Sequence, residues 1–298
     1  MRRRRVLHGL PIACAVVAAA TGSALAQDEL LDFEHQNPAR DPVLNLRYEA
    51  IFMAPGGRVF FPGSAIRGDI DLEVVGIDGP QLSPTFRLAV NEGFDPDAGF
   101  VDRLSGSIQI MHFDTDVLGT VTLPRLAGPI ALSPGDRVRA QYDFLGVDAR
   151  LGWDPIRWTP ETRDGTRRLQ FAGTGGVGFR VHQYDISVRR LSDGAMVADG
   201  GTFFEPLIFV QGRAELYERF ELSVGGSFGT TFDQDAGGNG TSSSWDLAAR
   251  MGIHLTPYAT VGFGYRILEF DVEQGEGINA SGLNGSFAGI GFDVSLRF

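Results

Sequence analysis

The sequence contains no lysine, and its only cysteine is Cys14. A chain without lysine cannot build a phosphate-loop lysine, a Schiff base or a Ser–Lys catalytic dyad. Cys14 lies in an N-terminal segment that we expect to be removed, so the mature chain has neither a disulfide nor a reactive thiol. The rest of the chain also lacks any run of about 18 apolar residues, the length that a membrane-spanning helix requires.

Basic charge is scarce as well. The chain has 26 basic and 37 acidic residues, and four of the arginines, Arg2 to Arg5, stand in the segment before residue 27, which contains no acidic residue. The mature chain therefore has 22 basic residues against 37 acidic ones, a net charge of −15. A strongly acidic chain without a basic cluster is not suited to nucleic acid, and we expect no such partner.

The N-terminus has the pattern of a secretory signal peptide. Four arginines precede an apolar stretch at residues 6–20, and the small residues Ala24 and Ala26 flank Leu25. This pattern predicts a signal peptide at residues 1–26, cleaved after Ala26. The apolar stretch is too short for a membrane anchor. A lipoprotein signal at Cys14 is disfavoured because Pro11 stands where such a signal has Leu.

Residues 27–42 are polar and without a period, and we interpret them as a periplasmic leader. The remaining residues, 43–298, are predicted to form one domain. Its final segment alternates strictly between apolar and polar residues, which predicts a strand with one apolar face. The apolar residues of this segment are Ile290, Phe292, Val294, Leu296 and Phe298.

This ending resembles the C-terminal strand of bacterial outer-membrane β-barrels, which end on Phe with apolar residues at every second position before it. The resemblance is to small barrels, porin-like or of the OmpA or OmpW type. It implies a location in the cell outer membrane, contact with outer-membrane lipid, and recognition of the final strand by the barrel assembly machinery. Oligomeric state is left open.

Similar alternation recurs along the chain, and short turns alternate with long loops, as in membrane barrels. Eleven candidate strands are visible, but a periplasmic N-terminus requires an even number. We therefore predict an all-β, antiparallel up-and-down transmembrane barrel of ten strands, with eight or twelve as alternatives. Residues 66–76 are the expected surplus, an acidic external hairpin. Loops are predicted at residues 54–63, 117–135 and 154–168. The alternation changes phase near Phe144 and Gln183, which we interpret as β-bulges.

The polar faces of these strands carry charges of both signs. An Arg facing lipid at the membrane midplane costs roughly 2–4 kcal/mol, so we expect these charges to line the lumen. They form either a narrow, selective pore or an ion-paired core that fills the barrel. The residues assigned to the lumen are Arg47, Glu49, Arg137, Arg139, Asp143, Arg213, Glu215, Asp246, Arg250, Arg266, Asp293 and Arg297.

Two motifs suggest ligands only superficially. Gly173, Gly175 and Gly178 have the spacing of a dinucleotide fingerprint, but strand-like residues follow where a helix is required. Asp233 and Asp235 begin like a calcium loop, but two later ligand positions lack the necessary oxygen atoms. We therefore expect no cofactor and no metal.

The sequence therefore predicts a non-enzymatic outer-membrane barrel, either structural or a narrow channel for small solutes. One alternative is a barrel enzyme acting on lipid, because His112 is near Asp114 and Asp116 in sequence and His182 is near Asp185. The other is a soluble, secreted β-sandwich that binds a ligand, because core strands of a sandwich would alternate in the same way. The sequence leaves the solute, the ligand and the openness of the lumen undetermined.

Overall fold

The computed structural model describes residues 44–63, 68–95, 97–160, 169–217, 219–231, 240–276 and 279–298. The predicted signal peptide, the leader and the acidic motif at Asp233 and Asp235 all lie outside these ranges.

Thirteen strands account for most of the described chain. They are β1 Leu44–Phe60, β2 Asp69–Asp71, β3 Gln81–Val90, β4 Leu104–Thr120, β5 Arg125–Ala127, β6 Ile130–Leu132, β7 Arg137–Trp158, β8 Leu169–Arg190, β9 Met196–Leu216, β10 Phe220–Thr230, β11 Gly240–Thr256, β12 Ala259–Gln274 and β13 Ser281–Arg297. Ten of them form the wall, in which each strand pairs antiparallel with its neighbours in the order β1, β3, β4 and β7 to β13.

The wall closes on itself because β13 also pairs with β1. The register runs from Asn45 opposite Arg297 to Phe60 opposite Gly282. Beyond it, the backbone N–H groups of Leu44 and Phe298 each donate to the other's carbonyl, at N–O distances of 3.0 and 2.9 Å. The prediction of a ten-stranded, up-and-down barrel is confirmed, and the soluble β-sandwich is wrong.

The remaining elements are short and are not part of the wall. Strand β2 pairs with the end of β1 and leads into a 3-10 helix at Leu72–Val75, so residues 66–76 do not add a wall strand, as predicted. Strands β5 and β6 form a separate hairpin, and a second 3-10 helix spans Val101–Arg103. Within the described residues, no helix is long and apolar enough to cross a membrane.

The two ends of the barrel differ. One, which we call the terminal end, carries Leu44, Phe298 and the tight turns at residues 217–219 and 257–258. The other, the loop end, carries the long connections at residues 61–80 and 121–136. The connection at residues 121–136 covers most of the loop predicted at residues 117–135. On the barrel resemblance, we expect the terminal end to face the periplasm.

Several strands extend farther toward the ends than the sequence predicted. Strand β1 continues through residues 54–60, β4 through Thr120 and β7 through Trp158, all in segments predicted as loops. Their Gly, Pro and polar residues do not alternate, but backbone pairing with the adjacent strands holds them extended. The adjacent backbones approach closely at Gly57, where φ is +119° and a Cβ would collide with the carbonyl of Asn284.

The predicted bulges near Phe144 and Gln183 are wrong. Strands β7 and β8 pair without interruption there, with Phe144 opposite Tyr184 and Leu145 opposite Gln183. The register shift in this pair lies instead between Trp153 and Ile156. The strand continues without a bulge at residue 144. What changes there is which of its two faces carries the apolar side chains.

Strand β7 shows this change most clearly. Tyr142 and Phe144 point inward and are buried, whereas Arg139 and Asp143 point outward into solvent. Four residues on, Asp148 occupies the inward face and is 5% exposed, while Leu151 faces outward and is 59% exposed. The apolar residues have moved from the inside of the barrel to the outside, with no slip in register. The strand therefore crosses a boundary between two environments.

The same reversal occurs on β1, β4, β8, β12 and β13, and it divides the barrel into two parts. In the terminal half the outer surface is a belt of apolar side chains. Members of this belt include Phe52, Phe86, Ile108, Leu151, Val177, Phe179, Ile208, Val210, Phe228, Leu247, Phe263, Ile290 and Phe292. An exposed apolar band around a closed antiparallel wall is the lipid-facing surface of a transmembrane β-barrel.

In the loop half the outer surface is polar and mostly acidic, and the interior is apolar. Exposed outward residues there include Asp114, Asp116, Arg139, Asp143, Gln183, Asp185, Glu269, Asp271, Glu273 and Asn284. This half has the interior and exterior of a water-soluble β-barrel. The chain thus forms one continuous wall that suits lipid in one half and water in the other.

Candidate functional site: a filled lumen

The lumen of the terminal half contains an extensive network of ion pairs. Nine arginines take part, contributed by eight of the wall strands: Arg47, Arg87, Arg150, Arg157, Arg180, Arg213, Arg250, Arg266 and Arg297. Their carboxylate partners are Glu92, Asp148, Asp154, Glu215, Glu221, Asp246 and Asp293. Because the two signs are interleaved, most charges have an opposite charge within reach.

Arg180 and Asp148 form the most completely bonded pair. The guanidinium donates from Nε to Asp148 Oδ1 at 2.7 Å and from Nη2 to Oδ2 at 2.9 Å. It also donates to Ser244 Oγ at 2.9 Å and Ser227 Oγ at 2.7 Å, and the residue is 1% exposed. This bidentate, charge-assisted pair and its two serine hydrogen bonds link strands β7, β8, β10 and β11 across the lumen.

A second centre lies nearer the terminal end. Arg250 donates to both oxygens of Asp293, at 2.8 and 2.6 Å. Glu221 accepts from Arg297 Nη2 at 2.6 Å, and its other neighbour is Arg250 Nη1 at 3.0 Å. Arg47 completes the group, with Nη2 3.7 Å from Glu221 Oε1. Each carboxylate is therefore shared between arginines of different strands.

Asp246 extends the first centre, formed by Arg180 and Asp148, to strand β12. Its carboxylate accepts from Arg266 Nε at 2.7 Å and from Arg150 Nη2 at 3.2 Å, and Arg180 Nη2 lies 3.7 Å away. Removing this carboxylate would take away the ion-pair partner of Arg266, whereas Arg150 and Arg180 would keep Asp148. Asp148 and Asp246 together therefore link arginines from strands β7, β8 and β12.

The connection at residues 91–103 inserts into the mouth at the terminal end. Glu92 accepts two hydrogen bonds from Arg87, at 3.0 and 2.5 Å. Arg213 donates to the carbonyl of Glu92 at 2.6 Å and lies over the ring of Phe94, 5.3 Å from its centroid. Phe94 is 5% exposed. A connection whose sequence has no strand-like alternation therefore covers the mouth.

Five aromatic rings fill the loop half of the lumen. Phe287 lies at their centre, with ring centroids 4.9 Å from Phe113, 5.7 Å from Tyr142, 4.9 Å from Phe144 and 5.9 Å from Phe270. All five are at most 3% exposed. Tilted and stacked rings at these separations pack closely and exclude water. We call this set the aromatic layer.

Above the aromatic layer, the loop end is covered by short elements that pack inward. The 3-10 segment contributes Leu72 and Val75, and the hairpin of β5 and β6 contributes Ala127, Ile130 and Leu132. All belong to the same buried apolar cluster as the aromatic layer. The lumen is therefore occupied along its length by the inserted connection, the ion-pair network, the aromatic layer and this cover.

The histidines separate into different environments. His182 is 1% exposed between Phe144 and Phe270, and its Nε2 is 4.0 Å from Glu205 Oε2. Asp185 points outward from the same strand, so the predicted grouping of His182 with Asp185 is wrong. His112 lies on the outer wall, where its Nε2 is 3.5 Å from Asp143 Oδ1.

Glu205 lies at the junction of the two interiors. It accepts short hydrogen bonds from Ser242 and Ser244 and is fully buried. Gly173, Gly175 and Gly178 lie within strand β8, in agreement with the strand-like residues that follow them. Within the described residues, no group of three or more His, Cys, Asp and Glu side chains is arranged to hold a metal ion.

The structure places nine of the twelve predicted lumen residues inside the barrel. They are Arg47, Glu49, Arg213, Glu215, Asp246, Arg250, Arg266, Asp293 and Arg297. Arg137, Arg139 and Asp143 instead point outward, so their assignment is wrong. The reason is the reversal on β7: in the loop half the polar face is the outer face.

Sequence reasoning also missed several residues of the network. Arg150, Arg180 and Asp148 lie on β7 and β8 beyond the point where the apolar face changes sides. Their signal is present in the sequence: continuing the parity of Tyr142 and Phe144 places Asp148 and Arg150 inside. Glu92 carries no comparable signal, because it lies in a connection without a period.

No family model matches the chain, and no curated protein matches it. Among solved structures, the outer membrane protease OmpT from Escherichia coli is similar, with a TM-score of 0.46 and 10% identity over 89% of this chain and 99% of the other. Neisserial surface protein A has a TM-score of 0.31 and 11% identity over 86% and 97%. The Pseudomonas putida toluene transporter TodX has a TM-score of 0.30 and 8% identity over 86% and 90%. The chain's own strand ladder establishes the closed barrel.

Proposed function

We propose that the protein is a non-enzymatic outer-membrane barrel that does not conduct solutes and that holds a rigid, acidic structure outside the membrane. One observation carries this proposal: the lumen is filled by two chemically different layers. An ion-pair network occupies the part surrounded by lipid, and the aromatic layer occupies the part above it. The narrow-channel alternative would require both layers to rearrange.

The outer surface of the loop half supports a role outside the membrane. On β4, β7, β8 and β12 its outward acidic residues are Asp114, Asp116, Asp143, Asp185, Glu269, Asp271 and Glu273, against the basic residues Arg137, Arg139 and Arg189. Seven acidic residues against three basic ones make this surface negative, which favours solubility and repels other anionic surfaces. The wall strands continue into this half, so the surface is held by the barrel itself.

Conductance in planar bilayers tests the proposal. We expect the purified wild-type barrel to give no steady ionic current, because neither layer leaves a continuous aqueous path. Phe287→Ala should also remain closed, since the ion-pair network below it is intact. Phe292→Ala, on the lipid face of the same strand, is the matched control. A steady wild-type current would contradict the proposal and favour a diffusion pore.

We also propose that β13 directs insertion into the outer membrane through the assembly machinery. Its outward residues Ile290, Phe292 and Val294 belong to the lipid-facing belt, and Phe298 is hydrogen-bonded to Leu44 at the seam. Phe298→Asp should leave export and removal of residues 1–26 intact but block assembly. Heat-dependent gel migration measures assembly, and N-terminal sequencing should give Gln27. A compact, boiling-sensitive band from the variant would contradict this role.

A second candidate function, an enzyme acting on lipid, is favoured by one feature. His112 and Asp143 pair on the outer wall where the apolar belt meets the polar surface, the level at which headgroups would lie. The test is hydrolysis of outer-membrane lipid by wild type and His112→Gln, with Arg139→Gln as control. Hydrolysis that His112→Gln abolishes would favour the enzyme over the structural barrel.

A further inference from the structure

A polar cavity of about 90 Å³ remains inside the terminal half of the lumen. It is large enough for more than one water molecule. Two carboxylates, Glu49 and Asp246, lie on its wall. Five guanidinium groups also line it, those of Arg47, Arg87, Arg150, Arg250 and Arg266.

Several donors on this wall have no acceptor. Among the described residues, Nε of Arg47, Nε of Arg150, Nη1 of Arg266 and Oγ1 of Thr85 are buried and make no hydrogen bond. Thr85 is 1% exposed and Arg266 is 6% exposed, so bulk water does not reach them freely. A guanidinium group can only donate, and buried donors in native structures almost always have a partner. The cavity therefore presents unused donors to whatever occupies it.

The surrounding carboxylates are already engaged with other atoms of the network. Asp246 accepts from Nε of Arg266 and Nη2 of Arg150. Asp293 is bonded by both arms of Arg250, and its oxygen is 3.8 Å from Nε of Arg47. These carboxylates offset most of the positive charge around the cavity. On the wall itself, five guanidinium groups still outnumber the two carboxylates.

We propose that this cavity binds one small monovalent anion of the halide class, held by the unused donors of Arg47, Arg150, Arg266 and Thr85. The class follows from the wall: its free hydrogen-bonding groups include three guanidinium N–H groups, which only donate, so an acceptor is required. The limited excess of positive charge and the presence of Glu49 disfavour a polyvalent oxyanion. The anion would complete the ion-pair network.

Thermal unfolding in different salts tests this site. The mature chain is folded in detergent at constant ionic strength, with chloride or bromide replacing gluconate, which is too large for the cavity. We expect the midpoint of unfolding to rise with halide and to saturate, because a ligand that binds only the folded state stabilises it. Arg150→Gln should lose at least half of this shift, whereas Arg139→Gln, on the outer wall, should keep it. A wild-type midpoint independent of halide would overturn the proposal.

A direct observation does not depend on any variant folding. Crystals of wild-type protein folded in sodium bromide would be measured at the bromine absorption edge. An anomalous peak between Arg47, Arg150 and Arg266 is the expected result. Density in the cavity without an anomalous signal would mean that water alone satisfies these donors, and the anion site would be wrong.

Discussion

The two halves of this barrel are built from the same ten strands but have opposite arrangements of polar and apolar residues. On β12, Phe263 and Tyr265 face outward beside lipid while Arg266 faces inward to Asp246. Farther along the same strand, Glu269 and Asp271 face outward while Phe270 packs in the aromatic layer. The backbone does not distinguish the halves. The two halves differ in the solvent around them. The half in lipid buries its charged residues, and the half in water buries its apolar residues.

The two interiors also differ in how they fill space. Every charge in the ion-pair network needs a partner, so the stability of the network depends on all of its ion pairs being present. The aromatic layer needs only close packing, so its stability depends on volume. Changes of the same kind made in the two halves should therefore have different consequences.

The largest effect is expected from breaking the network at its best-bonded pair. Arg180→Ala would leave Asp148 buried and without its main partner, which should lower the free energy of unfolding by roughly 3–5 kcal/mol. Arg139→Ala removes an equally close pair with Asp116 on the exposed surface of the loop half, and about 0–1 kcal/mol is expected. Unfolding in urea or guanidinium from lipid vesicles measures both. Equal losses would show that Arg180 is not buried in a low-dielectric network.

A comparable but smaller contrast is expected within β13. Phe287→Ala opens a cavity in the aromatic layer and should cost about 3–5 kcal/mol. Phe292→Ala should cost less, because lipid chains can occupy the space that the ring leaves on the outer face. The same unfolding measurement compares them. If Phe292→Ala proved the more damaging change, the aromatic layer could not be the close-packed part of the barrel.

The smallest contrast tests the outer surface along β8. Val177→Arg places a charge in the apolar belt and should cost about 2–4 kcal/mol at the membrane midplane. Asp185→Arg, on the same face beyond the reversal, should change stability by no more than about 0.5 kcal/mol. Folding yield into vesicles and unfolding midpoints provide the comparison. Similar penalties at both positions would place them in the same environment.

The sequence predicted the fold well because period-2 alternation reports strands whatever surrounds them. It placed Arg213 and Asp246 inside correctly, since both lie in segments wholly within the lipid-facing half. It failed at Arg139 and Asp143, because the argument that charges avoid lipid assumes that the whole strand is in lipid. The phase change at Phe144 was interpreted as a β-bulge. Its cause is the change from water to lipid around the strand, which exchanges the apolar and polar faces.

Other features had no sequence signal of this kind. The insertion of Glu92 and Phe94 into the mouth depends on Arg87 and Arg213, which come from strands far apart in the chain. The pairing of Arg180 with Asp148 likewise depends on the register between β7 and β8. Such contacts are set by closure of the barrel, which no local pattern specifies.

The reversal of polarity marks the membrane boundary, and strand β8 offers the most direct test of where that boundary lies. Residues 27–298 contain no cysteine, so single cysteines can be introduced on the outward face of β8 and spin-labelled. The positions are Val177, Phe179, Val181, Gln183, Asp185 and Arg189. Accessibility to oxygen and to a water-soluble nickel complex is then measured in lipid vesicles. We expect labels through Val181 to be accessible to oxygen and labels from Asp185 onward to be accessible to the nickel complex. Labels that remain in lipid through Arg189, or in water from Val177, would contradict it.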